Sequence, residues 1–118
     1  MFKRIENIKK NKIEAGEKES IQIMLGPDEV PNFAMRKFTI EVGGSIPMHT
    51  NTLEHEQYVL RGKGKIILGD ETKEVSPGSI VFMPEGVPHS YDNICEEPFE
   101  FLCMVPNKKD EFYIIKQL

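Results

Sequence analysis

The sequence predicts an all-β fold, an antiparallel sandwich or barrel built from short strands. Short runs rich in branched and aromatic side chains follow one another along the chain, and glycine, proline or aspartate turns separate them. No central segment has the periodicity of an amphipathic helix. Short strands that alternate regularly with turns are typical of sandwiches and barrels.

The first part of the chain is predicted to contain two strands. Residues up to about Ala15 are lysine-rich and weakly patterned, so we expect a solvated arm. Residues 20–25 alternate as a strand does, and Gly26-Pro27-Asp28 supplies a turn in which proline fixes φ. Residues 33–42 favour a strand over a helix because they are rich in branched and aromatic side chains and show no helix cap. Gly43-Gly44 is expected to end this strand.

The remaining strands are separated by turns at 61–64, 69–70, 76–78 and 84–86, each of which contains glycine. The strands themselves are predicted at residues 56–60, 65–68, 72–75, 79–83, 89–93 and 99–105.

Length and charge restrict the class of protein. A chain of 118 residues is predicted to form one domain, 1–118. The net charge of −4 argues against a nucleic-acid partner, which would favour a basic excess. No apolar run approaches the roughly 18 residues that cross a bilayer, and no signal peptide is visible, so we expect a cytoplasmic protein without a membrane partner. Cys95 and Cys103 are expected to be reduced, although Cys103 could line a pocket.

Several predicted strands are apolar on both faces, at residues 58–60, 66–68 and 80–83. A sheet with one wet face would alternate instead, so a second layer must cover these strands. The apolar tail, residues 111–118, is expected to cover part of them. A second subunit is expected to cover the rest, which predicts a homodimer.

The three histidines of the chain are candidate metal ligands. His49 and Asn51 are two positions apart on an extended segment, so their side chains share one face. His55 opens the next predicted strand, and His89 opens another strand far along the sequence. Imidazoles from separate strands of one small barrel can converge on a single ion. The ordinary alternative is that each histidine is simply a polar residue whose hydrogen bonds are satisfied.

The spacing of these residues resembles the two motifs of the cupin family. In the second motif, G-x5-P-x-G-x2-H-x3-N, every position is present, at Gly78, Pro84, Gly86, His89 and Asn93. In the first, G-x5-H-x-H-x3,4-E-x6-G, the matching residues are Gly43, His49 and Gly62.

Two positions depart from the first motif, because Asn51 replaces its second histidine and His55 replaces its glutamate. The resemblance implies a jelly-roll barrel (a double-stranded β-helix) whose core motifs span 43–93. It implies a metal site at His49, Asn51, His55 and His89. Asn51 is at best a weak oxygen ligand, and His55 removes the anionic ligand.

The alternation of a strand also predicts which residues line a pocket beside the metal. If His55 points inward, Gln57 and Val59 do so too, and Tyr91 accompanies His89. Tyr91 is either a core ring with a satisfied hydroxyl or a proton donor.

Met35 and Arg36 lie on opposite faces of their strand, and the sequence leaves open which of them faces inward. An inward Arg36 would clamp a carboxylate, and an outward one would form a surface ion pair. With every histidine committed to the site, no general base is evident, so the catalytic residues stay unassigned.

An ion held by neutral donors keeps its full charge and favours a small anionic ligand. Imidazole donors suit a divalent transition metal, Zn, Mn, Fe or Ni, without choosing among them. The resemblance implies a metal-dependent enzyme of the oxygenase (an oxidoreductase), decarboxylase or isomerase type, acting on a small carboxylate-bearing or oxygenated molecule. The alternative is a non-catalytic module that only binds such a ligand, which the changes at positions 51 and 55 favour.

Overall fold

Residues 1–116, which this computed structural model describes, contain ten strands joined in one curled antiparallel sheet. The strands are β1 (Asn11–Ile13), β2 (Glu17–Leu25), β3 (Phe33–Asn51), β4 (His55–Arg61), β5 (Gly64–Leu68), β6 (Glu71–Val75), β7 (Ile80–Met83), β8 (His89–Asn93), β9 (Phe99–Pro106) and β10 (Phe112–Ile114). Their order is β6-β5-β8-β3-β9-β4-β7, and β2 and β10 also pair with β3. The predicted all-β, antiparallel fold is confirmed. In the part of the chain described, no helix has the length and apolar character that crossing a bilayer requires.

The long strand β3 joins the two halves of the sheet. Its first half pairs with β2 and β9, and its second half pairs with β8 and β10. A register shift against β2 between the two halves gives β3 extra residues there. Gly43 has a φ of +80°, and a Cβ on Gly44 would lie 2.6 Å from the Glu17 carbonyl oxygen. The prediction that Gly43-Gly44 ends the strand was wrong, because these glycines bend β3 at a bulge without ending it.

The N-terminal residues are more ordered than the sequence indicated. Ile5–Asn7 forms a 3-10 turn, and Asn11–Ile13 pairs with β2 as β1. The buried Gln22 side chain donates through Nε2 to the carbonyl oxygens of Ile5 and Ile8, at 3.2 and 3.0 Å. The segment is solvated as predicted, since most of its residues are exposed, but it is ordered because it pairs with the edge of β2 and satisfies a buried amide.

The core lies between the two halves of the sheet. Its buried members are Ile40, Ile46, Val59, Ile66, Val75, Met83, Tyr91, Phe99 and Phe101. Phe101 stacks on Tyr91 with ring centroids 5.1 Å apart and on Phe38 with centroids 5.4 Å apart. This ring stack leads from the core to the histidines, so the packing of the core positions the wall of the site.

The outer face of β4 and β7 stays exposed in the single chain. Ile80 is 81% exposed, and Tyr58, Leu60 and Phe82 are also exposed. The tail up to residue 116 does not cover this face, because β10 pairs instead with the stretch of β3 that carries His49. Residues 117 and 118 of the predicted apolar tail lie outside the described residues.

Candidate functional site

The three histidines are buried and adjacent. His49 near the end of β3 is directly paired with His89 at the start of β8, and their ring centroids are 4.2 Å apart. His55 opens β4, and His89 is only 1% exposed. All three, with Asn51, line one cavity of about 90 Å³. That volume suits a compact ligand.

Backbone carbonyls fix the protonation of two of the rings. The Nδ1 atom of His49 lies 2.7 Å from the Pro47 carbonyl oxygen, and Nδ1 of His89 lies 2.8 Å from that of Val87. A carbonyl oxygen only accepts, so each Nδ1–H donates and each neutral ring keeps its lone pair on Nε2. Within residues 1–116, the buried Nε2 of His89 and the buried Oδ1 of Asn51 have no hydrogen-bond partner.

Burial keeps these imidazoles uncharged. Burial, followed by the proximity of His89, lowers the pKa of His49 to about 4. Burial also lowers the pKa of His55, with Arg36 as the next cause, and burial lowers the pKa of His89. Neutral rings are the form that binds a metal, so at neutral pH the site needs no deprotonation before it can act as a ligand set.

A carboxylate that was not predicted from the sequence meets the histidines. Asp110 Oδ2 lies 2.8 Å from His55 Nε2. The segment 110–115, which we call the C-terminal strap, crosses the site, with the Thr52 N–H donating to the Glu111 carbonyl and the Ile115 N–H to that of Met48. Asp110 follows a polar run without a recognisable motif. Its position beside the histidines therefore becomes clear only from the pairing of β10 with β3.

The donors fit a divalent transition metal by their chemistry. In the described part of the chain, no three His, Cys, Asp or Glu side chains are already gathered into a coordination shell. His55 Nε2 is occupied by its hydrogen bond to Asp110. The two unpartnered acceptors, on His89 and Asn51, are nevertheless the atoms that a cation would satisfy.

Arg36 faces the same cavity and brings a positive charge to it. Its Nη2 lies 3.1 Å from Cys103 Sγ, and its guanidinium carbon lies 5.1 Å from the centroid of the Phe38 ring. Its Nε is buried without a partner, and no Asp or Glu among residues 1–116 forms an ion pair with it. The sequence left open whether Arg36 faces inward or outward, and in the structure it faces inward.

The other predicted pocket residues divide between wall and core. Gln57 and Tyr91 line the cavity, and Gln57 Nε2 donates to the Tyr91 hydroxyl at 2.7 Å. Burial raises the pKa of Tyr91, so its phenol stays protonated. Val59 points inward but belongs to the core cluster. Met35 does not line this cavity, so it is not a pocket residue. It faces the other side of β3 and lines a depression with N-terminal residues.

Glu19 is a carboxylate in the cavity wall that the sequence did not reveal. It is 4% exposed, lines the cavity and leaves Oε1 without a partner in the described structure. Burial raises its pKa to about 7. Its neighbourhood of lysines and glutamates looks solvated in the sequence, and only the pairing of β1 and β3 with β2 buries it.

Replacing Glu19 by glutamine is expected to stabilise the protein above neutral pH. The folded pKa lies above the ordinary value of 4.5, so the native protein loses stability as pH rises from about 4.5 to about 7. The loss has an upper limit of about 3 kcal/mol, which Glu19→Gln would avoid. Urea unfolding at pH 4.5 and pH 8 should show the difference growing with pH. Glu17→Gln, an exposed change on the same strand, serves as the control, and an equal effect of both variants would contradict the assignment.

Comparisons with known proteins agree with this fold. A family model described as a cupin domain matches residues 36–105. Over the whole chain, the solved structure of the polyketide cyclase RemF from Streptomyces resistomycificus is similar, with a TM-score of 0.88, 27% identity and 88% of that chain covered. The jelly-roll barrel expected from the motifs is confirmed.

Curated relatives match over part of the chain. An uncharacterized protein of Methanocaldococcus jannaschii is 34% identical over 65 residues, which are 54% of this chain and 52% of the relative. The 1-methylthio-D-xylulose 5-phosphate methylsulfurylase of Rhodospirillum rubrum is 27% identical over 77 residues, or 65% of this chain and 49% of that protein. The chain thus spans about half the length of these two relatives.

Proposed function

The chain belongs to the cupin family, and we propose that it is a small metal-dependent enzyme acting on a compact carboxylate-bearing molecule. Cupins generally bind a divalent metal. His49, His89, His55 and Asn51 would hold that metal here. When bound, it would supply a positive charge that stabilises negative charge developing on an oxygen of the substrate.

One observation carries the proposal. Two buried acceptors without partners, His89 Nε2 and Asn51 Oδ1, line the same cavity as the guanidinium of Arg36, which has no acidic partner among residues 1–116. Unsatisfied buried polar groups cost free energy. A cation would satisfy the two acceptors, and an anionic ligand beside it would pair with Arg36.

The residues of the cavity have separable tasks. Arg36 is placed to bind and orient a carboxylate, because its planar donors match two carboxylate oxygens. The hydrogen-bonded pair of Gln57 and Tyr91 forms a polar wall without a charge. Glu19, with a pKa of about 7, can hold or release a proton near neutral pH. Phe112 stacks on His49 with ring centroids 4.3 Å apart and holds this ring from the side of the strap.

The reaction class stays open among oxygenase, decarboxylase and isomerase chemistry. The similar proteins named above include a polyketide cyclase and a methylsulfurylase, which supports an enzyme without choosing its reaction. The binding module is the second candidate, supported by Asn51 and His55 at the positions where the motif has histidine and glutamate. The homodimer and the cytoplasmic location also stay predictions.

Two measurements test this function. The metal content of the purified protein and titration with Zn²⁺, Mn²⁺, Fe²⁺ and Ni²⁺ should reveal one divalent site per chain. Turnover of two- to four-carbon carboxylates by the metal-loaded protein would support the enzyme, and saturable binding without turnover would support the binding module. A protein that takes up none of these metals would contradict the enzyme, and a protein that also binds none of these carboxylates would contradict the binding module.

Replacing Arg36 by glutamine is expected to weaken carboxylate binding by about 10-fold to 100-fold, because a charge-assisted hydrogen bond to a carboxylate is lost. The probe is pyruvate, measured by calorimetry on the metal-loaded protein. Arg61→Gln removes an exposed arginine on β4 and should leave pyruvate affinity unchanged. If the two variants bind pyruvate with equal affinity, Arg36 does not contact the ligand.

A further inference from the structure

We propose that Asp110, delivered by the C-terminal strap, is the anionic ligand of the metal site. This inference rests on the proposed function, since it assumes that a divalent ion binds at the histidine cluster. It assigns a ligand that neither of the two histidine motifs contains, because Asp110 lies beyond both.

The position of the carboxylate supports this role. Asp110 Oδ2 lies 2.8 Å from His55 Nε2 and 3.5 Å from Asn51 Nδ2. A carboxylate oxygen and an imidazole nitrogen that would bind one ion, each about 2.1 Å from it, have to be close neighbours. The separation between Asp110 Oδ2 and His55 Nε2 therefore matches that of neighbouring ligands in one coordination shell.

The strap holds this carboxylate in a defined orientation. Asp110 Oδ1 accepts from the Leu53 N–H at 3.1 Å and from the Thr52 hydroxyl at 3.3 Å. The Glu111 N–H in turn donates to Thr52 Oγ1 at 2.9 Å. With Oδ1 fixed by the turn between β3 and β4, Oδ2 is left facing the histidines. Such supporting hydrogen bonds are usual for carboxylates that bind metals.

Charge explains why a carboxylate is needed from elsewhere in the chain. Histidine at position 55 leaves His49, Asn51, His55 and His89 as a neutral donor set, so a divalent ion would keep its whole charge in a buried site. One carboxylate halves that charge where the local dielectric constant is low.

Coordination through His55 Nε2 involves a change of tautomer at this ring. In the structure, His55 Nε2–H donates to Asp110 Oδ2. When this proton moves to Nδ1, the Nε2 lone pair becomes available, the ring stays neutral and the Asp110 carboxylate stays charged. No net proton is gained or lost.

Titration with Co²⁺ tests the assignment, because the visible bands of Co²⁺ report its ligands. Asp110→Asn should weaken Co²⁺ binding by more than about 100-fold, the upper end of the loss for a residue that only supports a ligand, and change the visible spectrum. Asp70→Asn, the same change in an exposed turn, should bind as the native chain does. Thr52→Val loosens the strap but keeps the carboxylate, so it should lose about 10-fold in affinity and keep the native spectrum.

The outcomes separate this inference from the function on which it rests. A native protein that binds no Co²⁺ overturns the proposed function. A native protein that binds Co²⁺, together with an Asp110→Asn variant of equal affinity and spectrum, overturns only the role of Asp110. If Asp110→Asn fails to fold in urea titrations, Asp110→Glu takes its place. Its displaced carboxylate should alter affinity and spectrum, and an unchanged result overturns the inference.

Discussion

Replacement of His89 by alanine is expected to weaken Zn²⁺ binding by more than about 100-fold. Changing a residue that only supports a metal ligand typically costs 10-fold to 100-fold in affinity, so removing a ligand should cost more. His89 is the most buried of the three rings, and its Nε2 has no partner in the part of the chain described. Calorimetric titration with Zn²⁺, followed by metal analysis after dialysis, measures the loss.

The stability of the same variant provides the check on folding. The alanine leaves a small cavity but also removes a buried nitrogen without a partner, so the two effects partly offset each other. Ser90→Ala, at the neighbouring buried position of β8, is the control and should retain Zn²⁺ affinity. Native-like Zn²⁺ binding by a folded His89→Ala protein would contradict the metal site.

Replacement of Phe101 by alanine is expected to lower the free energy of unfolding by about 4 kcal/mol. Phe101 is 2% exposed and contacts the rings of Phe38, Tyr91 and Phe99. Its loss opens a cavity behind Tyr91, which forms part of the site. Urea unfolding monitored by circular dichroism measures the change.

A matched substitution at the surface calibrates this effect. Phe33 is 69% exposed at the start of β3, so Phe33→Ala should lower the free energy of unfolding by less than about 1 kcal/mol. A loss below about 2 kcal/mol for Phe101→Ala would mean that the aromatic stack is not a main support of the core.

The parts of the fold that depend on local turn chemistry could be predicted from the sequence. Glycine and proline at residues 61–64, 69–70, 76–78 and 84–86 separate β4 to β8 in the structure as they do in the sequence. The bend at Gly43 could not be predicted in the same way. A glycine pair ends a strand or produces a bulge, depending on whether the neighbouring strands continue the pairing, and that is a tertiary property.

The site was predictable where its residues belong to the spaced motifs, and not where other strands supply them. His49 and His89 come together because β3 and β8 pair, which their motif spacing anticipates. Asp110 and Glu19 have no such spacing, because Glu19 reaches the site on β2 and Asp110 in the loop before β10. The orientation of Arg36 depends on its register with β2 and β9, since alternation alone does not say which face of β3 is inward.

The continuity of β3 has a consequence for motion. Arg36 and His49 line the same cavity from opposite sides of the bulge, on one uninterrupted strand. A molecule that contacts both residues would link the two halves of β3 and reduce the bending motion of the strand at the bulge. By thermodynamic linkage, a substitution that makes the bend more flexible should also lower ligand affinity, even if it lies far from the ligand. Ligand binding and the flexibility of β3 are therefore coupled.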